Sequence, residues 1–153
     1  MPLGGHRGKN APQAVAYAGM QPNRAITAVA VVACGASAGV HAGLAPSHLR
    51  EEPALGVAFI VAAALALAAG TRLALHPHDR RAALLSAALL AAMIAAWALS
   101  RTVGLPLLQP EPEAVDGVGV VTQIVQALGL VAALWLTQPA GGRGPSTIEE
   151  VPR

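Results

Sequence analysis

Three side chains of metal-binding type fall at seven-residue intervals, Cys34, His41 and His48, and Glu51 and Glu52 follow within one turn. On a continuous helix, a spacing of seven residues returns to nearly the same face. Imidazole with carboxylate suits Zn, Cu(II), Ni or Fe, and a thiol shifts the preference towards Cu(I). His41, His48, Glu51 and Glu52 are therefore candidate metal ligands, and Cu or Zn is the cofactor such a donor set would take. No HExxH or CxxC spacing accompanies them. The competing reading is a hydrated acidic turn with one capping histidine. Two further histidines, in His76-Pro77-His78-Asp79-Arg80-Arg81, read as a solvated turn.

Arg101 is a second chemical candidate. It stands about one turn inside an apolar stretch, where an unpaired charge is costly. Glu51, Glu52, Glu111 and Glu113 are its expected partners, and pairing would tie two loops together; Arg101, Glu111 and Glu113 form an ion-pair or anion site. Gln123 and Gln126, three apart in an apolar run, are expected to hydrogen-bond neighbouring helices. No nucleophile–base pair or cofactor motif is readable, which argues against an enzyme.

The elements that must position these groups are four apolar stretches, at about 25–44, 54–75, 82–105 and 117–137. Each has roughly 20 residues, enough at 1.5 Å per residue to cross a hydrocarbon core about 30 Å thick. A mean hydropathy of +0.54 and a charged fraction of 12% exclude an ordinary soluble domain. The predicted fold is all-α, a bundle of four transmembrane helices. Residues 1–24 are expected to be a disordered leader and 138–153 a flexible tail, with either Met1 or Met20 as the start.

Within the first stretch, Gly35, Gly39 and Gly43 form a small-xxx-small row that lets helix backbones approach closely. Packing inside the bundle is the expected use, and docking of a partner or a second copy the alternative. Pro46 is expected to end this helix, with Ser47 as the cap of a short turn, and Pro53 to open the next. Trp97 and Trp135 fit a thin aromatic belt. Arg24 and the apolar run up to Cys34 loosely resemble a lipoprotein signal peptide with a lipid-modified cysteine. The run continues well past Cys34, which argues for a full span.

Charge sets the expected orientation. Eight of the ten Lys and Arg residues lie on the side of the two termini and of the 76–81 loop. Arg50 and Arg101 share the other side with Glu51, Glu52, Glu111, Glu113 and Asp116. The positive-inside rule then predicts cytoplasmic termini in a multi-pass plasma-membrane protein, with its acidic loops outside. The net charge is only +2 and no basic patch is interleaved with aromatics, so the lipid bilayer, not nucleic acid, is the expected partner.

The segments His41-Ala-Gly-Leu-Ala-Pro46-Ser-His48-Leu-Arg-Glu51, with Phe59 downstream, and Ser100-Arg101-Thr102-Val-Gly104-Leu-Pro106 resemble a family of small four-helix membrane proteins of high-GC actinobacteria. The resemblance covers roughly residues 25–137. It implies that the His/Glu loop and the Ser-Arg-Thr end of the third span form one extracytoplasmic site, with a weak link to copper or redox functions. Ser47 and Gly119 stand where the family pattern carries acidic residues, and Gln126 where it carries a glutamate. These differences imply a degenerate member of the family.

Three functions follow as expectations: a membrane protein with an outer His/Glu/Arg site for a transition metal; an accessory subunit docking a partner through the glycine row; or a small transporter or membrane enzyme using Arg101.

Overall fold

The computed structural model describes residues 21–105 and 108–138, with side chains from residue 24 onward. Four helices make up nearly all of it: α1 (Gln21–Glu51), α2 (Pro53–Leu75), α3 (Arg80–Thr102) and α4 (Gly117–Leu136). Each is long and apolar enough to cross a membrane, which makes this the architecture of a multi-pass membrane protein. Helix α1 packs on α2 and α4, and α3 closes the ring by packing on both, so α1 and α3 lie on a diagonal. Successive helices alternate in direction, an up-down-up-down bundle.

One end of the bundle is acidic and the other basic. The acidic end gathers Arg50, Glu51, Glu52, Arg101, Glu111, Glu113 and Asp116. The basic end gathers Arg24, Arg72, Arg80 and Arg81 around Asp79. At that end Asp79 caps α3, accepting from the Arg81 backbone N–H at 2.9 Å, and pairs with Arg72 at 3.0 Å. The two N–H groups hold the Asp79 carboxyl below its ordinary range, that of Arg81 first and the Arg72 guanidinium second.

Helix α1 corrects the expected boundary. It begins at Gln21, so residues 21–24 are helical; residues 1–20 of the expected leader and 139–153 of the expected tail lie outside the described residues. At the other end it does not stop at Pro46 but runs through it to Glu51. Proline removes one helical hydrogen bond and crowds the preceding turn, yet spanning helices tolerate it where nearby groups satisfy the freed backbone. Ser47 is no cap: its hydroxyl donates back to the Leu44 carbonyl at 2.7 Å, and Arg50 Nε donates back to the Pro46 carbonyl at 3.1 Å, both within the last turns of the helix. Only Glu52 separates α1 from α2, and Pro53 opens α2 as expected, where a missing N–H costs nothing.

So tight a hairpin needs a glycine where the backbones meet. A Cβ on Gly56 would stand 2.5 Å from the Leu49 backbone nitrogen. Elsewhere close approach is carried by Gly70, where a Cβ would stand 2.9 Å from Cys34 Cβ, and by Gly129, where it would collide with Ala33 and press on Leu90. The row Gly35, Gly39 and Gly43 does none of this. It lies opposite the buried face of α1, exposed, with nothing within 4 Å of an added Cβ. The expectation of internal packing is thereby overturned.

The core divides in two. Towards the basic end it is an apolar cluster of Ala30, Leu73, Ala82, Ala83, Ala87, Ala132 and Ala133. From mid-bundle to the acidic end a second apolar cluster, Ala38, Ala66 and Met93, is joined by the buried polar side chains Ser37, Thr122 and Gln126, while Ser86 is buried on the basic side.

Candidate functional site

The site nearest to chemistry lies where α3 ends and α4 begins. Arg101, in the last turn of α3, is only 13% exposed. Its Nη1 donates to Glu113 Oε2 at 2.5 Å and to the Ala114 carbonyl at 2.8 Å, and its Nη2 donates to Asp116 Oδ2 at 3.1 Å. The guanidinium also lies over the Trp97 ring, 5.7 Å from its centroid. Two carboxylates, a carbonyl and a π-face make this a neutralised charge with several geometric constraints, the arrangement a planar fork of donors is suited to.

The loop is folded to meet it. Gly104 adopts φ +74°, the left-handed region, with its α-carbon facing the Pro110 carbonyl, where a side chain would clash. Leu105 and Gln109 then exchange two backbone hydrogen bonds, and Glu113 N–H donates to the Ser100 carbonyl at 3.0 Å. Asp116 has a second duty as the cap of α4, accepting from Gly119 N–H at 2.7 Å.

Of the partners expected for Arg101, Glu113 is present. Glu51, Glu52 and Glu111 are exposed and form no ion pair among the described residues. Asp116, which also caps α4, takes the second place. Arg101 therefore does not tie two loops together; it fastens α3 to α4 across the single loop between them. Its partners lie 12 and 15 residues away in sequence, on the connection between α3 and α4.

The histidines of α1 do share a face, because the helix continues through Pro46. That face meets an aromatic ring, however, and no carboxylate. His41 and His48 flank Phe59 of α2, with ring centroids at 5.1 and 4.4 Å. His41 Nδ1 donates to the Ser37 carbonyl at 2.8 Å. Glu51 and Glu52 lie exposed around the hairpin, and no group of three His, Cys, Asp or Glu side chains among the described residues could hold a metal ion. Cys34, completely buried at mid-helix against Gly70 and beside Ser86, is placed as a packing residue.

Gln126 reaches a neighbouring helix, donating to Met93 Sδ of α3 at 3.8 Å, while its Oε1 finds no partner among the described residues. Gln123 Oε1 is likewise buried without one. Trp97, expected in an aromatic belt, is partly buried under Arg101 and against Gly119; Trp135 is exposed. Sequence reasoning missed Gly56, Gly70 and Gly129 as packing points and Ser37 as a buried hydroxyl. Lone glycines inside apolar runs were the available signal, since each lowers helix propensity and asks for a packing reason.

No known protein family, curated protein or solved structure matches this chain.

Proposed function

We propose that this protein is an accessory subunit of the plasma membrane, spanning the bilayer four times with both termini in the cytoplasm and docking another membrane helix through the Gly35/Gly39/Gly43 face of α1. The observation that carries this reading is the open space over all three glycines. A glycine in a helix interior costs about 1 kcal/mol of propensity relative to alanine, and the internal packing of this bundle uses none of the three. In lipid, where apolar side chains gain nothing by leaving their surroundings, close backbone approach is what a glycine face offers a partner.

The rival sites are less well supported. The Arg101 guanidinium is engaged by Glu113 and Asp116, which leaves little of it for a substrate anion. The candidate metal ligands are divided between the Phe59 contact and the exposed hairpin. Kinship with the small actinobacterial four-helix proteins remains part of the proposal, as does the orientation, supported by Arg24, Arg72, Arg80 and Arg81 at the basic end.

A photo-crosslinking residue introduced at Gly39, in cells, tests the docking directly. The proposal expects a discrete protein adduct from position 39 and only lipid adducts from the exposed α2 position Val61. Lipid adducts alone from both positions would contradict it.

A further inference from the structure

Among the described residues, five buried side-chain atoms have no hydrogen-bond partner: Ser37 Oγ, Trp97 Nε1, Arg101 Nε, Gln123 Oε1 and Gln126 Oε1. None belongs to the apolar cluster of the basic half. All five fall between mid-bundle and the acidic end, and the contacts of Gly129 fix their levels. Gly129 abuts Ala33 of α1 and Leu90 of α3. One turn towards the acidic end from that layer stand Ser37 on α1, Met93 on α3 and Gln126 on α4. Ser37 is 1% exposed and Gln126 0%. Gln123 comes a turn higher, then Trp97 beside Gly119, and finally Arg101 beside Asp116. From Asp116 to Gln126 is ten residues, about 15 Å at 1.5 Å per residue, or half a hydrocarbon core roughly 30 Å thick.

We propose that this half of the bundle holds a blind, internally hydrated track. Water enters at the acidic end, bridges these five groups in sequence, and stops at the Ala33–Leu90–Gly129 layer.

The chemistry of the five atoms selects the ligand. Two are N–H donors, two are amide carbonyl oxygens and one is a hydroxyl that serves either way. A small neutral molecule that both donates and accepts meets that mixture. A bare ion would leave part of that mixture unmatched: a cation gains nothing from the two N–H donors, and an anion gains nothing from the two carbonyl oxygens. The spacing agrees: levels one helical turn apart, about 5.4 Å, match the span of two hydrogen bonds through a single water. Buried polar groups in folded proteins are nearly always satisfied, and water is the usual partner where protein supplies none. At the acidic end, a shallow, mainly apolar surface groove between α1 and α4 is rimmed by Asp116 and Gly117 and lined by Val40, Val118, Val121 and Thr122. Thr122 lies one turn above Gln126 on the buried face of α4.

Water-edited solid-state NMR of the full chain in proteoliposomes tests this. Magnetisation transferred from water should build up at Ser37 and Gln126 about threefold faster or more than at Ala83 and Leu73, which line the dry half. Equal, slow build-up at all four would overturn the proposal. Gln126→Leu should return Ser37 to the slow rate of Ala83 by breaking the track at its floor; persistence of fast transfer at Ser37 would also overturn it. If Gln126→Leu does not fold, Ser37→Ala read at Gln126 supplies the same comparison. There the expected result is a clear slowing, and an unchanged fast rate contradicts the track.

Discussion

Arg101 shows how one charge is made tolerable at the edge of an apolar helix. Its guanidinium is mostly buried, while Glu113 and Asp116 keep part of their surface in solvent, with side-chain exposures of 30% and 52%. Screening by that solvent lowers the value of the pairs, so Arg101→Met should cost roughly 1–3 kcal/mol, less than breaking a fully buried pair. Thermal melting in detergent would register this as a fall of several degrees. A double-mutant cycle should find coupling between Arg101 and Glu113 and none between Arg101 and Glu52; the reverse would mean that the loops are joined differently. Asp79 offers a pH test at the other end. Its folded carboxyl is lowered by the Arg81 N–H and by Arg72, so its contribution to stability is present above the unfolded value near 4 and lost as the pH falls through the lower, folded value. Asp79→Asn should flatten that acid limb of the stability curve. An unchanged acid limb would show that the cap and ion pair add no pH-dependent stability.

At the scale of helices, the account turns on which glycines touch something. Gly129→Leu would force a side chain into Ala33 and Leu90, and overpacking of this kind costs about 1–3 kcal/mol or more. The expected outcome is loss of the cooperative melt, or a strongly lowered midpoint by circular dichroism. The four spans were legible in the sequence because length and hydropathy are properties of a segment by itself. Use of the glycines was not, because it depends on which face α2 and α4 cover. A regular small-residue row draws attention, yet Gly70 and Gly129, isolated in sequence, are where the backbones meet. Pro46 misled for a related reason. Its local rule ends helices in water, but a spanning helix can continue through a proline at the loss of a single backbone hydrogen bond, here the one to the Ala42 carbonyl.

At the scale of the molecule, the sorting of charges foreshadowed two unlike ends, and the acidic end does hold the groups that could do chemistry. What sequence could not convey is how that end is divided. Arg101 closes on its own loop, His41 and His48 close on Phe59, and the carboxylates of the hairpin stay exposed. These outcomes depend on the ring order of four helices and on loop lengths, which no single segment encodes. The resulting molecule has a mainly apolar interior with polar groups towards its acidic end, a fastened α3–α4 corner and one open glycine face. That open face carries the functional proposal, and light scattering coupled to size exclusion in mild detergent tests it most directly. Gly39→Leu should remain folded and monodisperse while the mass of the wild-type complex falls to that of a single chain. A Gly39→Leu protein that unfolds as Gly129→Leu does, or that keeps the wild-type mass, would contradict the account.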